Sequence, residues 1–304
     1  MGPISDAHKL TYSANVALAV QQKRSRLEMG FSYQDGLSGR LATMIELIGS
    51  ASAVVDLGRK ADTPDIDNSI EPVWIVPRQL AWGKLIEKED AIKALTNYQS
   101  PFVQAGAAGM VRGKDTILSQ ALFASRKIGP DGTTVSAWAG QTVGVGIGAS
   151  ATDDVTATGM NVRKLLRGRR YMQAGQVSTG DEELFFSGNA QQIEELFRDL
   201  TFVSRDYRGE NNTPMNTPDQ PQSILNINIL PANDGSAALA NFDGATYTAA
   251  LFCKSGMYWG EFDPLTVAVP LRPDKMNRPH PQMEQWLGAT RSEDIKVVKI
   301  LTKI

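Results

Sequence analysis

Residues 58–72, GRKADTPDIDNSIEP, limit the folds open to this chain more than any other stretch. They hold four carboxylates (Asp62, Asp65, Asp67 and Glu71), two cations (Arg59 and Lys60) and two prolines. Only Ala61, Ile66 and Ile70 are aliphatic. So little apolar surface cannot offset the entropy of ordering the segment, so no core forms from it alone. It is flanked by LATMIELIGSASAVVDLG (41–58) and VWIVPRQLAWGKLI (73–86), rich in residues that favour strands. Two strands joined by a polar tip predict a long β-hairpin. A lone hairpin is marginal in water, so this one must lie against something outside itself.

The remaining pattern is mixed. In VALAVQQKRSRLEM (16–29), Val16, Val20, Arg24 and Leu27 share one side of a predicted helix. A second helix is predicted in EKEDAIKALTNYQSP (87–101), with acidic residues at its N-terminus. The longest covers 101–126, where Val103, Ala107, Met110, Ile117, Ala121 and Ala124 recur at helical spacing. Gly106, Gly109 and Gly113 interrupt it. Each costs about 1 kcal/mol relative to alanine in a helix, and their shared face suggests close approach of another backbone. Shorter helices are predicted over 159–175, stopped by Gly175 with Asp154 or Thr156 upstream as caps, and over 189–200, capped by Asn189. Residues 129–156 and 207–222 read as loop-rich. Strands are predicted at 183–188, 223–230, 247–254, 265–272 and 294–301. Helices and strands do not alternate regularly, which points to an α+β class rather than a doubly wound sheet.

Chemistry is hard to find. The net charge of −2 gives no global field for nucleic acid or membrane. A single cysteine, Cys253, cannot form an internal disulfide and fits a reducing compartment. No signal peptide or membrane span is evident, so the chain reads as soluble and cytosolic when made. With only His8 and His280, neither a histidine-based triad nor a histidine metal site is expected. GMVRGKD (109–115) is one residue short of a phosphate loop and has Asp115 where a hydroxyl is required. GVGIGA (144–149) fits a dinucleotide fingerprint only as an isolated string. DTPDID (62–67) lacks the glycine and distal glutamate of a calcium loop. Two basic groups stand out: Lys23, Arg24 and Arg26 in one, and Arg163, Arg167 and Arg170 on one helical face in the other. Either suits phosphate or an acidic neighbouring subunit. No catalytic, cofactor or metal residues emerge.

The strings QQKRSRL (21–27), RKADTP (59–64), LTNYQSPFVQA (95–105), MVRGKDTILSQAL (110–122) and LGATRSEDIKVVKI (287–300) occur in an order that resembles the major capsid proteins of tailed phages. The resemblance runs from about residue 15 to the end and implies the HK97-type shell fold. Residues 1–34 would then be the N-terminal arm and 35–85 the E-loop region. The peripheral domain would combine 86–129, with its spine helix, and 245–304, and the axial domain would be 130–244. The implied protein is not an enzyme and needs no cofactor. It assembles in the host cytoplasm as hexamers and pentamers of a virion capsid around double-stranded DNA. Its partners would be a portal and scaffold or decoration proteins. Arg59, Lys60, Asp62, Asp65, Asp67 and Glu71 would be E-loop contacts on a neighbouring subunit. The implied alternatives are an encapsulin-type compartment with the same fold and, from GVGIGA, a dinucleotide-binding enzyme.

Overall fold

A computed structural model describes residues 24–39, 42–48, 70–85, 99–147, 157–199, 223–231 and 246–303. Most of the helix predicted over 87–101 and most of the 58–72 stretch lie outside these residues. Among the described residues the architecture is α+β: three α-helices laid on two main sheets of four and six strands, with a further four-stranded sheet and a two-stranded one.

The first four-stranded sheet joins β1 (Ser32–Tyr33), β12 (Met257–Ala268), β15 (Gln282–Arg291) and β4 (Arg78–Gly83) in that order. Helix α1 (Gln99–Phe123) lies across β15 and β4. Its glycines explain the contact. A Cβ on Gly106 would sit 2.6 Å from the Trp82 ring, and one on Gly113 would sit 3.0 Å from Leu80. The glycine face therefore receives alternate side chains of β4, not another backbone. Magnitudes decide what substitution does here. Alanine adds about 1 kcal/mol in helix propensity, whereas overpacking costs about 1–3 kcal/mol. Gly106→Ala is expected to lower the urea midpoint, and Trp82→Leu should relieve the loss. Gly109→Ala is expected to stabilise, because its nearest neighbours would be 3.9 Å away. Destabilisation by both alanines equally would contradict this packing account.

The second main sheet has six strands in the order β7 (Thr142–Val143), β16 (Val297–Lys303), β11 (Thr246–Cys253), β8 (Leu184–Gly188), β10 (Ile227–Pro231) and β9 (Ser223–Ile224). It is buried on both faces, which is why LFFSG and TYTAALFC read as continuous apolar runs. On one face Leu184, Phe186, Leu251 and Val298 pack against α2 (Val162–Ala174) and α3 (Ala190–Arg198). On the other, Phe185, Ala250, Phe252 and Val297 meet Leu27, Phe31, and Leu118 and Leu122 of α1.

The caps follow sequence chemistry. Asn189 and Gln192 form a reciprocal capping box at α3. For α2 the cap is Asn161, accepting from the Lys164 N–H at 3.0 Å, rather than Asp154 or Thr156. Lys164 is itself sealed in, its Nζ donating to the Thr158 and Leu301 carbonyls at 2.8 and 2.9 Å. Burial lowers its pKa to about 8, with Glu195 opposing.

Two predicted runs divide. VWIVPRQLAWGKLI breaks at Val76–Pro77 into β3 (Ile70–Ile75) and β4, which enter different sheets. SILNINIL is two strands, because Leu225 and Asn226 both adopt positive φ, 55° and 62°, in a two-residue hairpin turn. Residues 24–27 are not α-helical; a short 3-10 turn, Glu28–Gly30, follows them.

Candidate assembly surfaces

Two features of the protomer lack an internal purpose, and a third ties its N-terminal segment down. The first is the hairpin. Strand β2 (Ala42–Ile48) pairs antiparallel with β3 from Ala42↔Ile75 to Ile48↔Ile70, and β5 (Arg126–Ile128) and β6 (Thr134–Ser136) complete the sheet. Glu71 is therefore a strand residue opposite Leu47. Arg59, Lys60, Asp62, Asp65 and Asp67 lie outside the described residues.

The second is a ribbon. Strand β12 runs past β1 toward the tip, where β15 stays paired with β4 as far as Gln282↔Gly83, and β12 accommodates Pro264 at a register shift. A two-stranded tip follows, β13 (Leu271–Arg272) with β14 (Arg278–Pro279). Leu265, Val267, Val269 and Leu271 recur at every second residue and all face solvent, Leu271 at 62% exposure. Met276 at the tip is 77% exposed. The run 265–272 reads as a strand in the sequence, with no sign that its apolar alternation faces outward. Exposed apolar side chains in such a run mark a candidate contact surface.

The third is the clamp on the N-terminal segment. Buried Asp115 of α1 accepts from the Ser25 hydroxyl at 2.5 Å and from the Arg26 backbone N–H at 3.1 Å. Beside it Lys114 pairs with Glu28 at 3.0 Å and stands 3.7 Å over the Trp259 ring. The GKD string thus holds backbone and hydroxyl, and no phosphate loop is formed. Asp115→Ala leaves a hydroxyl and an N–H without their acceptor, a loss of about 1–3 kcal/mol. Tryptic cleavage after Arg26 is expected to accelerate roughly tenfold or more as this segment opens locally. An unchanged cleavage rate would show that the clamp does not hold the segment.

The two basic groups do not meet. Arg26 is exposed beside α1, on the sheet face that carries Leu27, and Arg24 lies next to it. Arg163 and Arg170 are exposed and Arg167 half-buried on the outer side of α2, across the six-stranded sheet. Arg170 packs 5.6 Å from the Tyr171 ring. Lys23 is outside the described residues.

The dinucleotide string finds no support in its surroundings. The Val145 and Ile147 carbonyls accept from the Thr158 hydroxyl, at 3.0 and 2.8 Å, and the Ile147 carbonyl accepts from the Asn161 amide. The described part of the loop presents acceptors that are already occupied rather than a cradle of N–H donors. Cys253 is sealed in the core, its pKa pushed up to about 12 chiefly by burial.

Among the described residues the chain is a long helix laid on a sheet, with three further sheets beside it. Solved structures share this fold. The acid-stable capsid structure of Helicobacter pylori bacteriophage KHP30 aligns with a TM-score of 0.68 at 10% identity, covering 100% of this chain and 98% of that one. The capsid of Ralstonia phage GP4 gives 0.67 at 13% identity, covering 95% and 94%. The cyanophage Pam1 capsid gives 0.67 at 12%, covering 95% and 94%. At such identities these likenesses establish fold alone. No curated protein matches the sequence. The model of the phage capsid protein family matches residues 4–304, so the chain belongs to that family. It is a structural protein of the phage head shell.

Proposed function

We propose that this subunit associates with itself into hexamers and pentamers, which close an icosahedral head around double-stranded DNA. The observation that carries the reading is the Leu265–Val267–Val269–Leu271 alternation turned to solvent, a strand face that one protomer leaves uncovered. Repeated contacts of one surface with another generate closed shells.

Within the subunit, residues 1–34 act as the arm and 35–85 as the E-loop region, whose polar tip crosses a neighbour. There Arg59, Lys60, Asp62, Asp65, Asp67 and Glu71 make polar contacts that set register. Helix α1 is the spine of the peripheral unit, with 86–129. The axial unit holds 130–244. Pairing of β11 and β16 with β8 and β7 supports counting those two strands with it, leaving β12 and β15 with the spine.

Arg24 and Arg26 lie across the six-stranded sheet from Arg163, Arg167 and Arg170, so only one of the two groups lines the DNA. The other, whether Lys23, Arg24 and Arg26 or Arg163, Arg167 and Arg170, meets a neighbouring subunit. Portal, scaffold and decoration proteins complete the set of partners, and assembly takes place in the host cytoplasm. No helix among the described residues is long and apolar enough to cross a membrane.

Electron microscopy of the purified protein, with size exclusion alongside, tests the reading. Closed shells tens of nanometres across support it. A stable monomer that stays monomeric with its scaffold co-expressed would overturn it.

A further inference from the structure

Strand β16 outruns its edge neighbour. Its pairing with β7 covers Lys299↔Thr142 and Ile300↔Val143. Further on, the Lys303 N–H donates to the Thr158 carbonyl at 2.9 Å. Between these two attachments Lys164 of α2 supplies a donor. Its Nζ reaches the Leu301 carbonyl at 2.9 Å and the Thr158 carbonyl at 2.8 Å. Thr158 donates in turn from its N–H to the Val145 carbonyl at 3.0 Å, and from its hydroxyl to the carbonyls of Val145 and Ile147. One completely buried amine thus ties a helix, a strand edge and a loop together. Both of its acceptors are neutral. An ammonium brings three hydrogens to them and an amine two. Loss of the proton therefore keeps both bonds and removes a charge that burial penalises.

We infer that Lys164 is a pH-sensitive fastener of strand β16, holding the strand edge more firmly once its proton has gone. Burial lowers its pKa to about 8, against the pull of Glu195. Glu195 faces it from α3, with Oε2 occupied by the Met160 N–H at 2.6 Å. Asp199, at the end of α3, accepts from the Val162 N–H at 3.0 Å. On β16, Lys299 turns to the other face of the sheet, beside the Phe123 and Trp138 rings, and Lys303 is exposed. Strand β11 brings Tyr247 and the Cys253 thiol, while β7 and residues 157–161 carry no titratable side chain. The 3-10 turn Asp294–Lys296 meets α2 at its other end, where Ile295 packs on Gly175. Arg163 and Arg167 lie on the outer side of α2 itself. Below about pH 8 native and unfolded chains both hold the Lys164 proton, and the buried charge opposes folding. From there to about pH 10.4 only the unfolded chain holds it, so folding gains about tenfold per pH unit. Cys253 works the other way: burial raises its pKa to about 12, so the unfolded thiol ionises first.

The test is urea unfolding of the unassembled full chain across this pH range, beside Lys164→Met, which keeps the side-chain bulk and has no proton to lose. The ratio of the two folding constants cancels Cys253 and every other group the variant keeps. Above about pH 8 it is expected to rise about tenfold per pH unit in favour of the unmodified chain. The hydrogen-exchange protection factor of the Lys303 amide, which donates to Thr158, should rise with it and stay level in Lys164→Met. A flat or falling ratio would overturn the inference. So would a rising ratio with unchanged Lys303 protection, because the proton would then act away from the strand edge. Should methionine prevent folding, Glu195→Gln decides. Without the pull of that carboxylate the Lys164 pKa falls further, so the gain in stability must begin at lower pH than in the unmodified chain. An onset that stays in place or moves to higher pH would overturn the inference.

Discussion

With Val267 and Leu271 both replaced by aspartate, the purified protein is expected to stay folded and to form no closed shells. Leu265 and Val267 share a side of β12, since residues two apart in a strand do, and Leu271 stands exposed on β13 just beyond them. Leu271 is 62% and Val267 49% exposed in the protomer, so neither holds a core in place. Covering the exposed part of each is worth on the order of 1 kcal/mol. The sum along Leu265, Val267, Val269 and Leu271 repeats wherever the ribbon meets a neighbour. An aspartate there must be stripped of water without a partner, which costs several times what burying the apolar side chain contributes. The strand itself loses little, because its backbone pairing of Val267 with Met283 is unaffected and strand propensities span only about 1 kcal/mol. The urea midpoint should therefore move slightly while sedimentation shifts entirely to small species. Thr266→Asp, one residue out of phase, serves as the control and should still assemble. Shells from the double aspartate variant would show that the ribbon is not an interface.

Helices were legible in the sequence where a cap and a stripe coincide. Asn189 with Gln192, followed by Ile193, Leu196 and Phe197, specifies α3 to within two residues at its end. Gly175 ends α2 as its position suggests. These signals are local, and the physics that produces them is local too. Strand partners are not. Nothing in VWIVPRQLAWG says that Pro77 separates two sheets, and LN inside SILNINIL resembles strand interior until both residues adopt positive φ.

The interface was the least legible part, for a physical reason. Alternation of apolar and other residues reports that one face of a strand is covered; it does not report by what. LTVAVPLR carries the same period as a core strand, yet Leu265, Val267, Val269 and Leu271 are all exposed in the protomer. Asp115 stands out in the sequence only as a misfit to a phosphate motif, and its work on Ser25 and Arg26 spans about ninety residues of sequence.

The second large effect concerns Arg291, and Arg291→Met is expected to lower protomer stability by about 3–5 kcal/mol. The side chain is completely buried. Its Nη1 donates to the carbonyls of Leu122 and Ala124 at 3.0 Å each and to that of Ala121 at 3.5 Å, while Nε pairs with Asp294 at 2.6 Å. One guanidinium thus satisfies the carbonyls at the end of α1 and ties that helix to the start of β16. Methionine fills a similar volume but donates nothing, so these carbonyls become orphans and Asp294, 17% exposed, keeps a charge without its partner. Lysine retains the charge as a single point and cannot serve the helix end and Asp294 at once, so Arg291→Lys should fall between. Adding Asp294→Asn to the methionine variant should recover part of the loss, and that part measures the stranded carboxylate. The reading is the urea midpoint of unassembled protomer. A fall equivalent to less than about 1 kcal/mol would mean the buried guanidinium is tolerated rather than required. Helix α1 would then be held by its glycine face on Trp82 and Leu80 and by Leu118 and Leu122 in the sheet core.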